Sequence, residues 1–408
     1  MDFVPSPRAA DLVERVRHFV DHEILPVEPG HHREFADGPD EVHLDPRAAN
    51  CRAISSEARQ VRSEDAFDVN ALAAWSRTHL GDETLSGIPA VRQFSGGASN
   101  LTYLLEYPDR DLILRRPPAG RHGEGAHDMA REYRVQTALG PVFDYAPSTV
   151  ALCQDPEILG APFYLMERLD GVIPRKEFPQ DLRLTMPQVG ELCTNVLDVL
   201  VDLHVIDPEA AGLSWMSKGP GYVARQVTGW SKRYRRARTW NVGSFESVMS
   251  WLAANQPPDR GAVLIHNDFR FDNIVLDHSD PTRPIGLLDW EMATIGDPLM
   301  DLGSALAYWV QQDDGPAFKF FRRQPTHTPG MLTRREVVEY YSRRTGIGLT
   351  DREWAFYEVF GLFRLAVICQ QIYFRYHHKQ TTNPAFRFFG LAVILLEHRC
   401  RRIIRGSR

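Results

Sequence analysis

The pattern of apolar and polar positions is most informative over residues 262–303, AVLIHNDFRFDNIVLDHSDPTRPIGLLDWEMATIGDPLMDLG. Short apolar runs at residues 263–265, 273–276 and 285–288, bounded by turn formers such as Asp280, Pro281 and Pro284, predict three strands around a polar loop. Further toward the N-terminus, alternation at 91–94, 101–106 and 112–115, and again at 149–153 and 163–167, predicts two more groups of strands. A helix over 128–139 lies between those groups. Leu72, Trp75 and Leu80 share one side of a helix over 68–80 that Gly81 stops. After Gly171 the period becomes helical: Leu192, Val196, Val199, Leu200 and Leu203 line one face of a helix ending near His204. Helices follow near 302–309, 334–344, 354–376 and 385–401. The chain therefore reads as α+β, with a strand-rich lobe at 66–168 and a larger, mostly helical lobe at 169–408. Residues 1–65 precede them. There Leu12, Val13, Val16, Phe19 and Val20 predict a helix over 7–25, capped by Ser6 and stopped by Pro26. A loose connector over 27–62 follows, without periodicity.

Composition changes this picture little. With 408 residues, 43% hydrophobic and 25% charged, the chain has room for two or three domains and a large core. The 47 basic and 53 acidic residues leave a net charge of -6, so the bulk balance carries no pull toward nucleic acid. The five cysteines are scattered without CxxC spacing and read as reduced, mostly buried thiols of a cytoplasmic protein. The N-terminal segment MDFVPSPRAADLVERV lacks the apolar run of a signal peptide, and no stretch approaches a membrane span. The apolar windows at 360–372 and 388–396 are interrupted by Arg364, Gln370 and Gly390 and read as buried helices. His31, His32, Asp37, Asp40 and His43 in the connector lack ligand spacing and read as a solvated loop.

The polar loop carries the chemistry. His266, Asp268 and Asn273 stand in the spacing HxDxxxxN, and Asp289 closes the third strand. Phosphoryl transfer needs a carboxylate near the attacking hydroxyl and oxygen ligands for magnesium on a triphosphate. Asp268 suits the first task; Asn273 and Asp289 supply a neutral and a charged oxygen to the metal. Ser95, Gly96, Gly97, Ser99 and Asn100 lie at the tip between two predicted strands, where backbone N–H groups and a hydroxyl can approach phosphates without obstruction. His266 is expected to brace the loop backbone. Asp297 and Asp301 read as structural, with Asp301 a candidate cap for the helix near Leu302. His204 reads as a satisfied core histidine. The run GWSKRYRRARTW sets Lys232, Arg233, Arg235, Arg236 and Arg238 among Trp230, Tyr234 and Trp240. It suits either a phosphate-bearing substrate or a solvated helix face whose stems cover the core.

These residues resemble the aminoglycoside phosphotransferase-like family, which takes in choline kinase-type enzymes and is a small-molecule branch of the protein-kinase-like fold. HxDxxxxN recurs there, followed by Leu288-Asp289-Trp290, where protein kinases have DFG, and by Gly296-Asp297-Pro298 with Asp301-Leu302. The resemblance extends over roughly residues 68 to 400. It implies a bilobal protein-kinase-like fold with a small β-rich nucleotide lobe, a larger mostly helical lobe and an N-terminal helical extension. It also implies ATP and Mg2+ as cofactors and a small-molecule hydroxyl as acceptor. Arg115 stands where protein kinases carry a phosphate-binding Lys, with Arg116 the alternative after a one-residue slip, and Glu132 stands as its helix partner. FYLMERLDG is similar to the family's hinge, where Met166 would flank adenine and Glu167 and Leu169 would supply backbone groups. FSGGASNLTYLL, ILRRPP and HNDFRFDNIVLD resemble most the kinase-like domain found joined to or beside acyl-CoA dehydrogenases. RVRHFVDHEILPVEP resembles the opening helix of those dehydrogenases. A hydroxyacyl-CoA acceptor and a functional link to an acyl-CoA dehydrogenase are thereby implied. An aminoglycoside or choline-type kinase and a non-catalytic nucleotide-binding module stay open, the latter because of Arg115. The absence of an APE-like segment after Asp289 speaks against a protein kinase.

Overall fold

The computed structural model describes residues 58–85, 87–94, 100–118, 128–180, 182–381 and 383–407. The helix expected over 7–25, most of the connector, and Ser95, Gly96, Gly97 and Ser99 lie outside the described residues. Among those described, Asp313–Phe321 forms a unit apart from the remainder.

The first lobe runs β1 (Ala58–Arg59), α1 (Val69–His79), β2 (Ala90–Phe94), β3 (Leu101–Glu106), β4 (Asp111–Arg116), α2 (Met129–Leu139), β5 (Thr149–Cys153), α3 (Pro156–Leu159) and β6 (Phe163–Glu167). The strands form one sheet in the order β1-β2-β3-β4-β6-β5, every neighbour antiparallel. Side chains alternate across it. Leu112, Leu114, Phe163 and Leu165 pack with Leu72 and Trp75 of α1. Ile113, Tyr164 and Met166 face the other way, onto Met129 of α2. Residues 58–62, the end of the connector expected to be loose, join this lobe together with 63–65: β1 pairs with β2, and the Asp65 carbonyl accepts from Tyr103 Oη and Arg116 Nη2.

The second lobe carries α4 (Met186–Val205), α5 (Tyr222–Ala237), α6 (Glu246–Ala254), β7 (Val263–Ile265), β8 (Ile274–Leu276), β9 (Pro284–Leu287), β10 (Thr294–Gly296) and α7 (Pro298–Ala307). After α8 (Pro316–Phe320), which belongs to the separate unit, come α9 (Arg334–Thr345), α10 (Asp351–His377) and α11 (Phe389–Gly406). β7 pairs with β10 and β8 with β9, so the polar loop hangs between two small antiparallel ladders. Thr185 and Gln188 form a capping box at the start of α4.

Two glycine contacts position the site. The linker between lobes lies on β8 through paired Val172 and Leu276 amides, both 2.8 Å from the opposite carbonyl. A Cβ on Gly171 would collide with the Leu276 carbonyl. Likewise α7 and α10 cross at Gly303 and Gly361: a Cβ on Gly303 would lie 2.5 Å from the Tyr357 carbonyl, and one on Gly361 would strike the Gly303 carbonyl.

The close crossing brings α10 under the catalytic loop. This 27-residue helix is, by length and composition, apolar enough to cross a membrane, contrary to the expectation that no stretch approaches a span. The apolar window is 72% buried inside the fold, however, and the helix serves as a core element. Two of its polar side chains bond inside the fold: Arg364 donates to the Asn267 carbonyl and Gln370 to the Ala237 carbonyl, while the Gln370 amide oxygen is buried without a partner.

Candidate active site

The loop from His266 to Asn273 is held from below by one carboxylate. Asp301, in the first turn of α7, accepts the amides of His266 and Asn267, each at 2.7 Å. It also meets His204 Nε2 at 3.2 Å, and His204 Nδ1 lies 2.7 Å from the Tyr341 hydroxyl. Burial would raise the Asp301 carboxyl, but these hydrogen bonds and the nearby histidines hold it below its ordinary value. Asp301 is therefore not the cap of α7, as the sequence suggested. Asp297 is, accepting from the amides of Leu299 and Met300.

His266 braces the backbone as expected. Its Nε2 lies 3.0 Å from the Leu288 carbonyl, and its Nδ1 accepts the Asp268 amide at 3.2 Å. Complete burial holds its pKa below the usual value, so the ring is neutral and both nitrogens have defined roles. Asn267 beside it has a φ of 64°, an uncommon conformation for a non-glycine residue. Its place is secured by Arg364 on its carbonyl, at 2.7 Å.

Asp268 and Asn273 meet directly. The Asn273 amide nitrogen donates to the Asp268 carbonyl at 2.8 Å and lies 3.3 Å from its carboxylate, which turns the Asn273 amide oxygen away as a free acceptor direction. The Leu288 amide donates to the Asn273 carbonyl at 2.8 Å, tying the end of β9 to the loop. Asp289 follows at once, with φ 69° and ψ 66°. A left-handed aspartate at a strand end is the kind of strain that sites retain when side-chain direction matters.

The sheet settles the two arginines. Arg115 lies on the α2 face, 3.3 Å from Glu132 Oε1 and 2.9 Å from Asp289 Oδ1. Arg116 points to the α1 face, bonded to Tyr103 Oη and the Leu159 carbonyl and stacked on Phe67. Burial opposes the charge on Arg115, yet Glu132, Tyr164 and Asp289 outweigh it and hold its pKa well above that of a free guanidinium. The same burial pushes the Glu132 carboxyl up, with Arg115 pulling it back.

Of the remaining predicted residues, Asn100 donates to Glu291 Oε2 at 3.1 Å, just past Asp289. Met166 is buried on the α2 face of the sheet. Glu167 binds Arg110 through its side chain, and its amide already donates to the Ser148 carbonyl at 2.8 Å, so that amide is committed. The Leu169 side chain packs where a Cβ on Gly286 would be, joining the hinge to β9. Lys232, Arg233, Arg235 and Arg236 are exposed on α5 while Trp230 and Tyr234 are buried, and Arg235 grips Glu246 in two bonds.

Sequence reasoning passed over two arginines. Arg131 of α2 donates to the carbonyls of Glu291 and Ala293, and Arg270 binds Asp268. Neither belongs to a spaced motif. The available signal for Arg270 was its position two residues after Asp268; Arg131 offered only its place next to Glu132.

A sheet lobe, a helical lobe and an Asp-Asn-Asp cluster beneath a buried arginine define a protein-kinase-like phosphotransferase. The family described as "Phosphotransferase enzyme family" matches residues 90–337, and the chain belongs to it. Among curated proteins it is 35% identical over 318 residues to acyl-CoA dehydrogenase family member 10 of Mus musculus, covering 78% of this chain and 29% of that protein. It is 32% identical over 337 residues to acyl-CoA dehydrogenase family member 11 of Gallus gallus, covering 79% and 42%. The chain thus spans less than half the length of these relatives. A provisionally named aminoglycoside phosphotransferase from Ralstonia eutropha JMP134 superposes with a TM-score of 0.71 at 27% identity, over 84% of this chain and all of that one.

Proposed function

We propose that the protein is an ATP- and magnesium-dependent kinase of a small-molecule hydroxyl, and that its acceptor is a hydroxyacyl thioester of coenzyme A. The observation that carries the kinase reading is Asp268 locked to Asn273, with Asp289 tied to the same loop and to Arg115. Asp268 would orient the acceptor hydroxyl and take its proton. Arg115, anchored by Glu132, would hold phosphate oxygens, a role for which a bidentate guanidinium is suited.

The residues fit magnesium. Asn273 and Asp289 offer hard oxygen donors, and among the described residues no group of three or more His, Cys, Asp or Glu forms an all-protein metal cage. Magnesium commonly takes one or two protein oxygens and completes its shell with phosphates and water. When bound, it supplies charge neutralisation at the phosphates. The acceptor reading rests on the likeness to relatives named as acyl-CoA dehydrogenase family members.

The test is magnesium-dependent ATP turnover against hydroxyacyl-CoA thioesters, aminoglycosides and amino alcohols. Asp268→Asn should lower kcat roughly 10²- to 10⁴-fold while leaving nucleotide affinity intact. Activity retained in that variant would remove Asp268 from the proton-accepting role. Turnover of aminoglycosides in place of thioesters would replace the acceptor assignment.

A further inference from the structure

Arg270 is bonded to the carboxylate that the reaction would use. Its Nη2 lies 3.1 Å from Asp268 Oδ2 and its Nη1 3.3 Å from Asp272 Oδ2. The guanidinium rests on the ring of Tyr308, 5.0 Å from its centroid. These side chains are mostly withdrawn from solvent, Arg270 being 18% and Asp268 21% exposed. Arg364, which donates to the Asn267 carbonyl, also rests on a ring, its guanidinium 5.2 Å from the Trp230 ring centroid.

The carboxylates of the loop are therefore taken up by arginines. Arg270 lies among the carboxylates of Asp268, Asp272 and Asp289, bonded to the first two, and Asp289 is bonded to Arg115. Asp272, the nearest additional carboxylate, is held by Arg270, and its carbonyl receives Arg175. A site that binds amine-bearing acceptors needs carboxylates left over for them. Here Arg270 has claimed both. With both carboxylates neutralised in a sparsely solvated place, a cationic acceptor would lose hydration without gaining an ion pair.

We propose that Arg270 is the acceptor-selecting residue of this site: it occupies one oxygen of Asp268, leaves the other to the acceptor hydroxyl, and excludes polycationic acceptors in favour of neutral or anionic ones. The inference rests on the phosphotransferase reading and adds the charge class of the acceptor and the residue that sets it. Arg270 acts on the acceptor partly through Asp268 and so is a positioning residue as well.

The experiment uses the full chain and two probes, 4-hydroxybutyryl-CoA and kanamycin, with binding read by calorimetry in magnesium and ADP, so no turnover is needed. Wild type, Arg270→Lys and Arg270→Gln are compared, with melting temperature as the folding control. Wild type should prefer the thioester, Arg270→Lys should keep that preference, and Arg270→Gln should lose about tenfold of it or more with nucleotide affinity unchanged. A preference in Arg270→Gln within about twofold of wild type overturns the proposal. So does a Lys variant as defective as the Gln variant, or an absence of binding by either probe to wild type and Arg270→Gln alike. Failure of the phosphotransferase reading would appear separately, as no magnesium-dependent nucleotide binding in any of the three.

Discussion

His266 shows how one residue's environment sets a property of the whole protein. Burial disfavours its charged form, so its folded-state pKa lies below the unfolded value of about 6.5. The unfolded chain then binds the proton more readily, and stability present above about pH 6.5 is lost as pH falls toward the folded pKa. The melting temperature should drop between pH 7 and pH 5, and His266→Gln should melt lower at pH 7 but decline less steeply. Equal slopes in the two proteins would exclude His266 as the titrating group. At this scale the sequence was readable wherever the partners share a loop: Asp268 and Asn273 are five residues apart and meet directly. It favoured Arg115 but left Arg116 open, because a shift of one position in a strand reverses the face of every side chain. Arg115 finds Asp289 174 positions away.

Among the elements, α2 and α10 do most to assemble the site. From α2, Glu132 anchors Arg115, Arg131 holds the carbonyls of Glu291 and Ala293, and Arg134 lies 4.2 Å from the ring centroid of Trp215. One helix face thus joins the sheet lobe to the turn after Asp289. From the other side, α10 delivers Arg364 to Asn267 only because Gly361 and Gly303 let two backbones touch. Gly361→Ala should destabilise the protein by about 1–3 kcal/mol, the usual cost of forcing atoms into a packed contact. Urea unfolding should show a lower midpoint. Acceptor turnover should fall with it as Arg364 is displaced, whereas an unchanged midpoint would mean that the helices can separate freely. The periodic pattern located α10 within a few residues. Its crossing partner could not be read, since glycine in a helix signals a weak position as readily as a close one.

For the molecule as a whole, the two lobes are joined by a linker pressed onto β8 and by the bridges from α2, so nucleotide binding should stabilise the entire fold. A ligand at a hundredfold excess over Kd adds about 2.7 kcal/mol. Magnesium with ATP should accordingly raise the melting temperature by several degrees, and Asp289→Ala should remove the magnesium-dependent part. An identical shift in that variant would take Asp289 out of the metal site. By itself the sequence determined most of the succession of strands and helices, though not β1, α6 or β10, together with the change from a strand-rich to a helical part and the loop that carries Asp268 and Asn273. Those features rest on hydrophobic period, turn formers and capping, all of which act between residues close in the chain. Only the tertiary structure decided that Arg115 meets Asp289, that Asp301 holds the loop and Asp297 the helix, and that Arg364 reaches Asn267 across 97 positions. Such contacts depend on sheet register and on how closely helices cross, and a change of one residue or one Cβ reverses them.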